Sequence, residues 1–352
     1  MKMTFRWYGH NDPVTLEKIR QIPSVTGIVS SLYHIKPGEV WPMQEIDSMK
    51  AEINAAGLQF EVVESVPVHE DIKLGVKSRD IYIENYKETI RRLGKVGVKV
   101  ICYNFMPVFD WMRSDLGKQH KDGSSSLSYD NDTVTRLNPL TLSDDLKLPA
   151  WDKTFTKEKL VELLTIYKDY TEEQFFGNLK YFLDRIIPVA EEAGINMAIH
   201  PDDPPWSIYG LPRIIGNEKN IKKFLNLNKS TNNGITFCTG SLGCNPENNL
   251  VRMIDMCKGR IHFAHLRNVL ITGYKCFEET AHMSDSGSLD MYEITKALID
   301  GGFDGYIRPD HGRAIWGEKG VNGYGLYDRA LGAMYLTGLY EAISKEKQNV
   351  KR

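Results

Sequence analysis

The chain has 352 residues, of which 41% are hydrophobic and 26% charged, so it can bury a large core and is not a disordered or fibrous protein. Its formal net charge of -2 exerts no strong attraction on a polyanion, and we expect no nucleic acid partner. The first residues, MKMTFRWYGHNDP, lack the apolar core of a secretory signal and no apolar run is long enough to cross a membrane, so we expect a cytoplasmic protein without membrane contact.

Short β-rich runs alternate with longer helical patterns along the whole chain. The runs with strand composition are 4–8, 27–32, 59–64, 98–105, 196–200, 234–239, 261–266 and 305–308. The stretches with helical periodicity are 13–21, 43–56, 79–93, 172–193, 218–227, 246–257, 289–299 and 326–344. Boundary residues support these helices: the Asp12-Pro13 pair marks a helix start, and Gly194 follows a helix end.

Strict alternation of strands and helices predicts parallel strands joined by right-handed crossovers. Eight such units favour an α/β fold in which residues 1–352 form a single (β/α)8 TIM barrel, with its active site at the carboxyl ends of the strands. The alternative is an open doubly wound sheet, which would need a G-x-G-x-x-G fingerprint after the first strand. The sequence there is WYGHNDP, which has no such motif.

The connection after the fourth strand, residues 106–170, is much longer than the others. It contains an aromatic segment, MPVFDWMRSDL, a polar segment, KDGSSSLSYDNDT, and a helical pattern near 157–170. A long insertion in a compact domain is usually functional or disordered. Because this one leaves the carboxyl end of a strand, we expect a lid that brings Trp111 or Arg113 to the site; a surface excursion or oligomer contact is the open alternative.

Four successive predicted strands end in residues that can bind a metal: His200, Cys238, His265 and Asp310. Two nitrogens, a thiolate and a carboxylate suit one divalent cation, because the anionic donors balance its charge. Each residue alone has a simpler explanation, such as a hydrogen-bonded histidine or a small core cysteine. Their common position on adjacent strands favours the metal site.

Neighbouring residues compete for two of these positions. His262 lies three residues before His265 and therefore on the opposite face of the strand, so at most one points inward, and His265 is nearer the catalytic end. Asp202 and Asp203 follow His200 in a proline-rich loop and are alternative carboxylate donors. Their other possible role is to support the ligands or bind substrate, and Asp202 is our candidate for substrate binding.

A histidine and a tyrosine are the candidate acid and base. His311 adjoins Asp310, and Tyr324 lies in GVNGYGLYDRAL, where Tyr327 is an alternative. Near a metal such a pair can divide proton removal and proton donation. Tyr324 could equally be a loop aromatic between turn glycines. We favour Tyr324 as base and His311 as acid, and the reverse assignment stays open.

Further polar residues follow the predicted strand ends and are candidates for substrate binding: Arg6, His10, His69, Asn104, Arg267 and Arg313. The three arginines can form bidentate contacts with a carboxylate, although each could also be an ordinary surface residue. Together the set suits a small, highly hydroxylated anion.

Several runs resemble the mannonate dehydratase family of bacterial hexuronate breakdown: FRWYGHNDPV, SVPVHEDIKLG, YNFMPVFDW, HPDDPP, FAHLRNV, RPDHGR and GYGLYDRALGAMYLTGL. The resemblance implies a barrel like that of xylose isomerase, dependence on Mn2+ or Fe2+, and conversion of D-mannonate to 2-dehydro-3-deoxy-D-gluconate with loss of water. It also implies the same metal ligands, His200, Cys238, His265 and Asp310, and the same acid/base pair, His311 and Tyr324.

Other functions remain open for this fold, since a fold does not determine chemistry. The nearest is a metal-dependent sugar or sugar-acid isomerase or epimerase on the same barrel. A non-catalytic sugar-acid sensor would need the cavity without an acid/base pair, so His311 and Tyr324 count against it. We expect a homodimer, the commonest oligomer, and a cysteine ligand also tolerates Zn2+.

Overall fold

The computed structural model of the protein describes residues 1–140 and 156–350. Its strands are β1 (Lys2–Arg6), β2 (Val25–Ser30), β3 (Gln59–Glu64), β4 (Val100–Tyr103), β5 (Asp115–Gln119), β6 (Ser125–Asp130), β7 (Asn196–Ile199), β8 (Asn233–Cys238), β9 (Ile261–His265), β10 (Val269–Gly273), β11 (Cys276–Glu279) and β12 (Tyr306–Arg308). Eight of them form a closed parallel barrel in the order β1-β12-β9-β8-β7-β4-β3-β2. All eight are the strands expected from sequence, so the TIM barrel is confirmed.

The described helices are α1 (Leu16–Ile19), α2 (Met43–Ala55), α3 (Glu70–Leu74), α4 (Arg79–Lys95), α5 (Asn131–Arg136), α6 (Lys157–Tyr167), α7 (Glu172–Ala193), α8 (Glu218–Leu227), α9 (Thr239–Gly243), α10 (Leu250–Met256), α11 (Met291–Asp300) and α12 (Tyr327–Val350), with a 3-10 turn at Ser284–Ser286. Each of the eight predicted helices is present. Among the described helices, none combines the length and apolar character that a bilayer crossing requires.

Two apolar layers fix the barrel. The smaller of two apolar clusters consists of Val29, Val62, Val100, Cys102, Ala198, Phe263 and Tyr306. Along the strands these residues alternate with members of the larger cluster. Because successive strand side chains point to opposite faces, we infer that the smaller cluster fills the barrel interior. The larger cluster lies between the strands and the helices; Ile28, Val63 and Ile101, for example, have no exposed surface.

A second sheet was not predicted. It is antiparallel, in the order β10-β11-β6-β5, and is built from two insertions, one after β4 and one after β9. The polar segment expected to be a loop forms β6, because Tyr129 pairs with Phe277 of β11 and both rings are buried and stacked. This pairing joins residues far apart in sequence, so local composition does not indicate it. Part of the predicted 106–170 insertion, residues 141–155, lies outside the described residues.

Gly234 leaves no space for an added methyl group, whereas Gly177 does. At Gly234, on β8, a Cβ would lie closer than 3.0 Å to the Arg260 carbonyl and the His262 ring. At Gly177, inside α7, a Cβ would meet nothing within 4 Å. We expect Gly234→Ala to lower the free energy of unfolding by about 1–3 kcal/mol through overpacking. Gly177→Ala should raise it by about 0.5–1 kcal/mol, because alanine is the better helix former.

Urea unfolding of both variants measures these changes. Equal effects of the two substitutions would contradict the close packing of β8 against β9.

Candidate active site

The carboxyl ends of four adjacent strands bring the predicted metal ligands together. Cys238 ends β8 beside His265 at the end of β9, and His200 follows β7 directly. The Nε2 atom of His200 lies 3.2 Å from Nδ1 of His265. Asp310, two residues after β12, places one carboxylate oxygen 3.4 Å from the Cys238 sulfur and the other 3.8 Å from His265 Nδ1.

These donors fit a divalent cation. One ligand atom from each of His200, Cys238 and His265 lies within 4.8 Å of the other two. Two imidazoles and a thiolate, with the Asp310 carboxylate beside them, form a donor set suited to a borderline transition metal. The backbone N–H and the hydroxyl of Ser241 donate to the Cys238 sulfur at 3.4 and 3.1 Å, which stabilises negative charge on it.

A second group of possible ligands, Glu64, Cys102 and His265, lies deeper in the barrel and shares one histidine with the first. Its carboxylate is already paired with two guanidinium groups, at 2.7 Å from Arg6 and 3.0 Å from Arg308. Asp310 is also paired with two arginines, so this pairing does not decide between the groups, and the assignment of the metal to the first group stays a prediction. Glu64 lies 3.2 Å from Nε2 of His265, where its charge orients the ring.

Asp310 is held by two arginines. Arg308 contacts one carboxylate oxygen at 2.8 Å, and Nε of Arg267 donates to the other at 2.7 Å. Burial alone would raise the pKa of the Asp310 carboxyl, but Arg308 and the other cationic groups around it hold that pKa well below its usual range. Asp310 is therefore an anionic donor throughout the physiological pH range.

His311 and Tyr324 form a hydrogen-bonded pair, with 2.9 Å between Nε2 and the phenol oxygen. Burial raises the pKa of the Tyr324 phenol, so the phenol is protonated in the resting protein. Tyr327, the alternative in the same motif, begins α12, is 42% exposed and packs against Trp316. The structure thus brings Tyr324, and not Tyr327, to His311.

The other ring nitrogen of His311 faces Glu279, the last residue of β11. Nδ1 lies 2.8 and 2.9 Å from the two carboxylate oxygens. Arg113 and Arg267 also donate to Glu279, at 2.7 and 2.9 Å. Burial alone would raise the pKa of the Glu279 carboxyl, but the charges of Arg267 and Arg113 and the hydrogen bond from His311 lower it to about 2. Glu279 is therefore ionised.

The insertion after β4 reaches the site through Arg113 and Trp111. Arg113 is fully buried and binds Asp203 through two nitrogens, at 2.8 and 3.0 Å. Arg267 donates to the same carboxylate at 2.9 Å. The Trp111 ring stands edge-on to His311, with 6.2 Å between centroids. One buried network therefore joins the second sheet to the strand ends of the barrel.

Three predicted substrate ligands lie at or near this centre. Arg6 is buried between Glu64 and Tyr33, whose hydroxyl accepts from its Nε at 2.9 Å. Arg267 is also buried, and all three of its side-chain nitrogens are already paired. Asn104 directly follows β4 and is half-buried. Their role in substrate binding stays a prediction.

Two predicted substrate ligands have their own contacts away from the donor set. The His10 side chain is 81% exposed and lies 3.3 Å from Glu52. His69 caps α3 by accepting from the Asp71 amide and stacks on Tyr82 with 3.6 Å between centroids. Neither histidine contacts the four candidate metal ligands.

The remaining two hold loops in place. Asp202 accepts from the Ile215 amide at 2.6 Å and lies 3.7 Å from Arg213, and burial raises its pKa to about 6. Arg313 pairs with Asp328 at 2.9 Å and with Asp122 at 3.2 Å. In these positions both residues connect the site's loops to the surrounding structure.

Sequence reasoning missed Glu64 and Glu279 as members of the site. Glu64 ends a barrel strand, β3, and so carried the same signal as the four metal candidates. Glu279 ends a strand of the second sheet, where no strand was expected. Arg308 lies in the RPDHGR motif but was given no role there.

Comparison with known proteins shows the family of this chain. The family model for D-mannonate dehydratase (UxuA) matches residues 1–350. Mannonate dehydratase of Thermotoga maritima is 58% identical over 99% of both chains, and mannonate dehydratase 2 of Halalkalibacterium halodurans is 54% identical over 98% of this chain and 100% of its own.

Solved structures give the same result. The crystal structure of mannonate dehydratase from Streptococcus suis serotype 2 superposes with a TM-score of 0.90 at 48% identity, covering 99% of this chain and 96% of that one. D-psicose 3-epimerase from Clostridium cellulolyticum H10 shares only the fold, with a TM-score of 0.55 at 15% identity and 99% of each chain covered. The chain therefore belongs to the D-mannonate dehydratase (UxuA) family of hydro-lyases.

Proposed function

We propose that the protein converts D-mannonate to 2-dehydro-3-deoxy-D-gluconate and water in hexuronate breakdown, with one divalent metal ion, Mn2+ or Fe2+. The observation that carries this proposal is the 2.9 Å pair of His311 and Tyr324 beside a His-Cys-His-Asp donor set. Family membership supports the same reaction.

His200, Cys238, His265 and Asp310 would hold the metal ion. Once bound, it would act as a Lewis acid and stabilise the negative charge that develops on substrate oxygens. The donor set also tolerates Zn2+, so metal choice depends on availability in the cell as well as on affinity.

Proton transfer begins within the His311–Tyr324 pair. Tyr324 is protonated, so it becomes a base by passing its proton to Nε2 of His311 across their 2.9 Å hydrogen bond. The model-peptide pKa values of tyrosine and histidine differ by about 3.5 units, which sets the cost at about 5 kcal/mol before the site's charges act. Burial raises the pKa of Tyr324 and so increases this cost, and Arg308, 5.7 Å from the ring, offsets part of the increase by stabilising the phenolate.

The two groups then act in sequence. The Tyr324 phenolate removes the proton at C2, and the electron pair moves into the carboxylate. His311 gives its Nε2 proton to the C3 hydroxyl, which leaves as water. The resulting enol becomes the 2-keto acid by losing the proton of its C2 hydroxyl and taking a proton at C3. Both residues end in their starting protonation states, and the reverse assignment of acid and base predicts the same product.

Arg6 is a candidate ligand for an anionic substrate. Its guanidinium pairs with Glu64 at 2.7 Å, and a guanidinium can bind a carboxylate through two nitrogens, so we propose that Arg6 binds the substrate carboxylate. The described start of the 106–170 insertion would cover the site, since Trp111 contacts His311 from that segment. We also propose that the protein is a homodimer in the cytoplasm.

The direct test uses metal-stripped protein incubated with D-mannonate, with and without added Mn2+, while formation of a 2-keto-3-deoxy acid is followed. We expect product only with the metal. Tight metal binding without any keto acid would refute dehydration and favour isomerisation of another sugar acid at the same site.

A further inference from the structure

The Glu279 carboxylate divides its contacts unevenly between its two oxygens. Arg113 and Arg267 donate to Oε1 at 2.7 and 2.9 Å, and Nδ1 of His311 lies 2.8 Å from the same atom. Oε2 faces Nδ1 of His311 at 2.9 Å. Since an ionised carboxylate only accepts, the hydrogen in this contact must be on Nδ1.

We propose that Glu279 is a positioning residue that holds the hydrogen of His311 on Nδ1 and so turns Nε2 toward Tyr324. This inference rests on the proposed function, in which Nε2 exchanges a proton with Tyr324 and the substrate. An imidazole whose Nδ1 carries the hydrogen accepts at Nε2, which is the state that the first proton transfer requires. A fixed carboxylate also stabilises the imidazolium that forms next.

The second sheet is what delivers this carboxylate. Glu279 ends β11, where it pairs with Val269 of β10, and is 1% exposed. Arg113 reaches it from just before β5, the strand at the other edge of the sheet. Formation of the sheet therefore places Glu279 against His311, and the two insertions contribute to proton transfer through this carboxylate.

Glu279→Gln tests the assignment because of how an amide must orient. Arg113 and Arg267 can only donate, so the amide oxygen should face them and the amide NH2 should face His311. The NH2 would replace the acceptor Oε2 at Nδ1 of His311 and so favour the wrong tautomer, with the hydrogen on Nε2, against the remaining 2.8 Å contact of Nδ1 with the amide oxygen. We expect kcat to fall about 10²–10⁴-fold with little change in KM. Glu278→Gln, on the same strand but paired with Lys118, is the matched control and should keep wild-type kcat.

Two readouts separate positioning from a structural role. In the His311→Asn background, adding Glu279→Gln should lower kcat no further, because residues that act as a unit are not additive. Nitrogen NMR of histidine-labelled, metal-free protein should show the hydrogen of His311 on Nδ1 in the wild type, with His311→Asn identifying the signal. A wild-type Nδ1 without hydrogen, or full additivity in the double variant, would overturn the proposal.

Failure of the proposed function is distinguishable from failure of this inference. If the metal-loaded wild type makes no keto acid from D-mannonate, the function is wrong. The tautomer of His311 is still read in the metal-free protein, where Nδ1–H supports positioning by Glu279 and its absence refutes it.

Discussion

Replacing His311 by asparagine is expected to lower kcat on D-mannonate by about 10²–10⁴-fold while metal content stays at the wild-type level. Asparagine retains a polar group near Glu279 but cannot take a proton from Tyr324 or give one to the C3 hydroxyl. His311 is not one of the four metal donors, and its Nε2 lies 3.9 Å from the nearer Asp310 oxygen. The substitution should therefore lower kcat without changing the amount of bound metal.

Steady-state kinetics and metal analysis of the purified variant make the measurement. Tyr324→Phe should show a similar loss, since it removes the other half of the pair. Tyr327→Phe is the matched control, because Tyr327 is 42% exposed and packs against Trp316 rather than His311. Activity of His311→Asn within about tenfold of wild type would remove His311 from the mechanism.

The barrel was predictable because its signals are local. Each strand is a short β-rich run, and residues such as Gly194, with a left-handed φ of 66°, end the helices between them. Eight strands that alternate with helices favour a barrel, and the lack of a G-x-G-x-x-G motif after the first strand counted against the open sheet. The first helix is shorter than expected, Leu16–Ile19, because periodicity alone locates a helix better than it locates the ends.

The approach of the four candidate metal ligands was predictable for the same reason. The carboxyl ends of adjacent parallel strands meet at one rim, so His200, Cys238, His265 and Asp310 had to approach one another once the barrel closed. Tyr324 required more, since it lies on a loop before α12. Only its motif and resemblance to the family distinguished it from Tyr327.

The residues around these ligands were less predictable, because they lie on loops and on a sheet whose strands are far apart in sequence. His10 and His69 follow strands in sequence, yet His10 is exposed beside Glu52 and His69 caps a helix. Glu279 enters through pairing of β11 with β6, which joins segments about 150 residues apart, as in Phe277 with Tyr129. The sequence around Glu279 does not indicate its position, because that position depends on pairing with a distant segment.

Arg113 is the residue whose loss should most destabilise the fold around the site. It is fully buried and is the shared partner of the Asp203 and Glu279 carboxylates. Burial lowers the pKa of Arg113, but the two carboxylates raise it by more than burial lowers it, so the guanidinium stays charged. Arg113→Met keeps most of the side-chain volume and leaves both buried carboxylates with one cation fewer. We expect the free energy of unfolding to fall by about 3–5 kcal/mol.

Lys118→Met provides the control within the same sheet. Lys118 is half-exposed and pairs with Glu278, so its loss should cost no more than about 1 kcal/mol. Urea unfolding of both variants gives the comparison. A loss below about 1 kcal/mol for Arg113→Met would mean that Arg267 alone neutralises the two carboxylates.

The pH dependence identifies the origin of the loss. The pKa of Glu279 is lowered from 4.5 to about 2 in the folded protein, so its ion pairs contribute fully above pH 4.5 and lose that contribution as pH falls toward 2. Without Arg113 the folded pKa lies closer to 4.5 and there is less stabilisation to lose. The stability difference between wild type and Arg113→Met should therefore stay constant from pH 7 to about 5 and narrow as pH falls from 4.5 toward 2. A difference independent of pH would instead indicate lost packing, since a methionine cavity carries no charge.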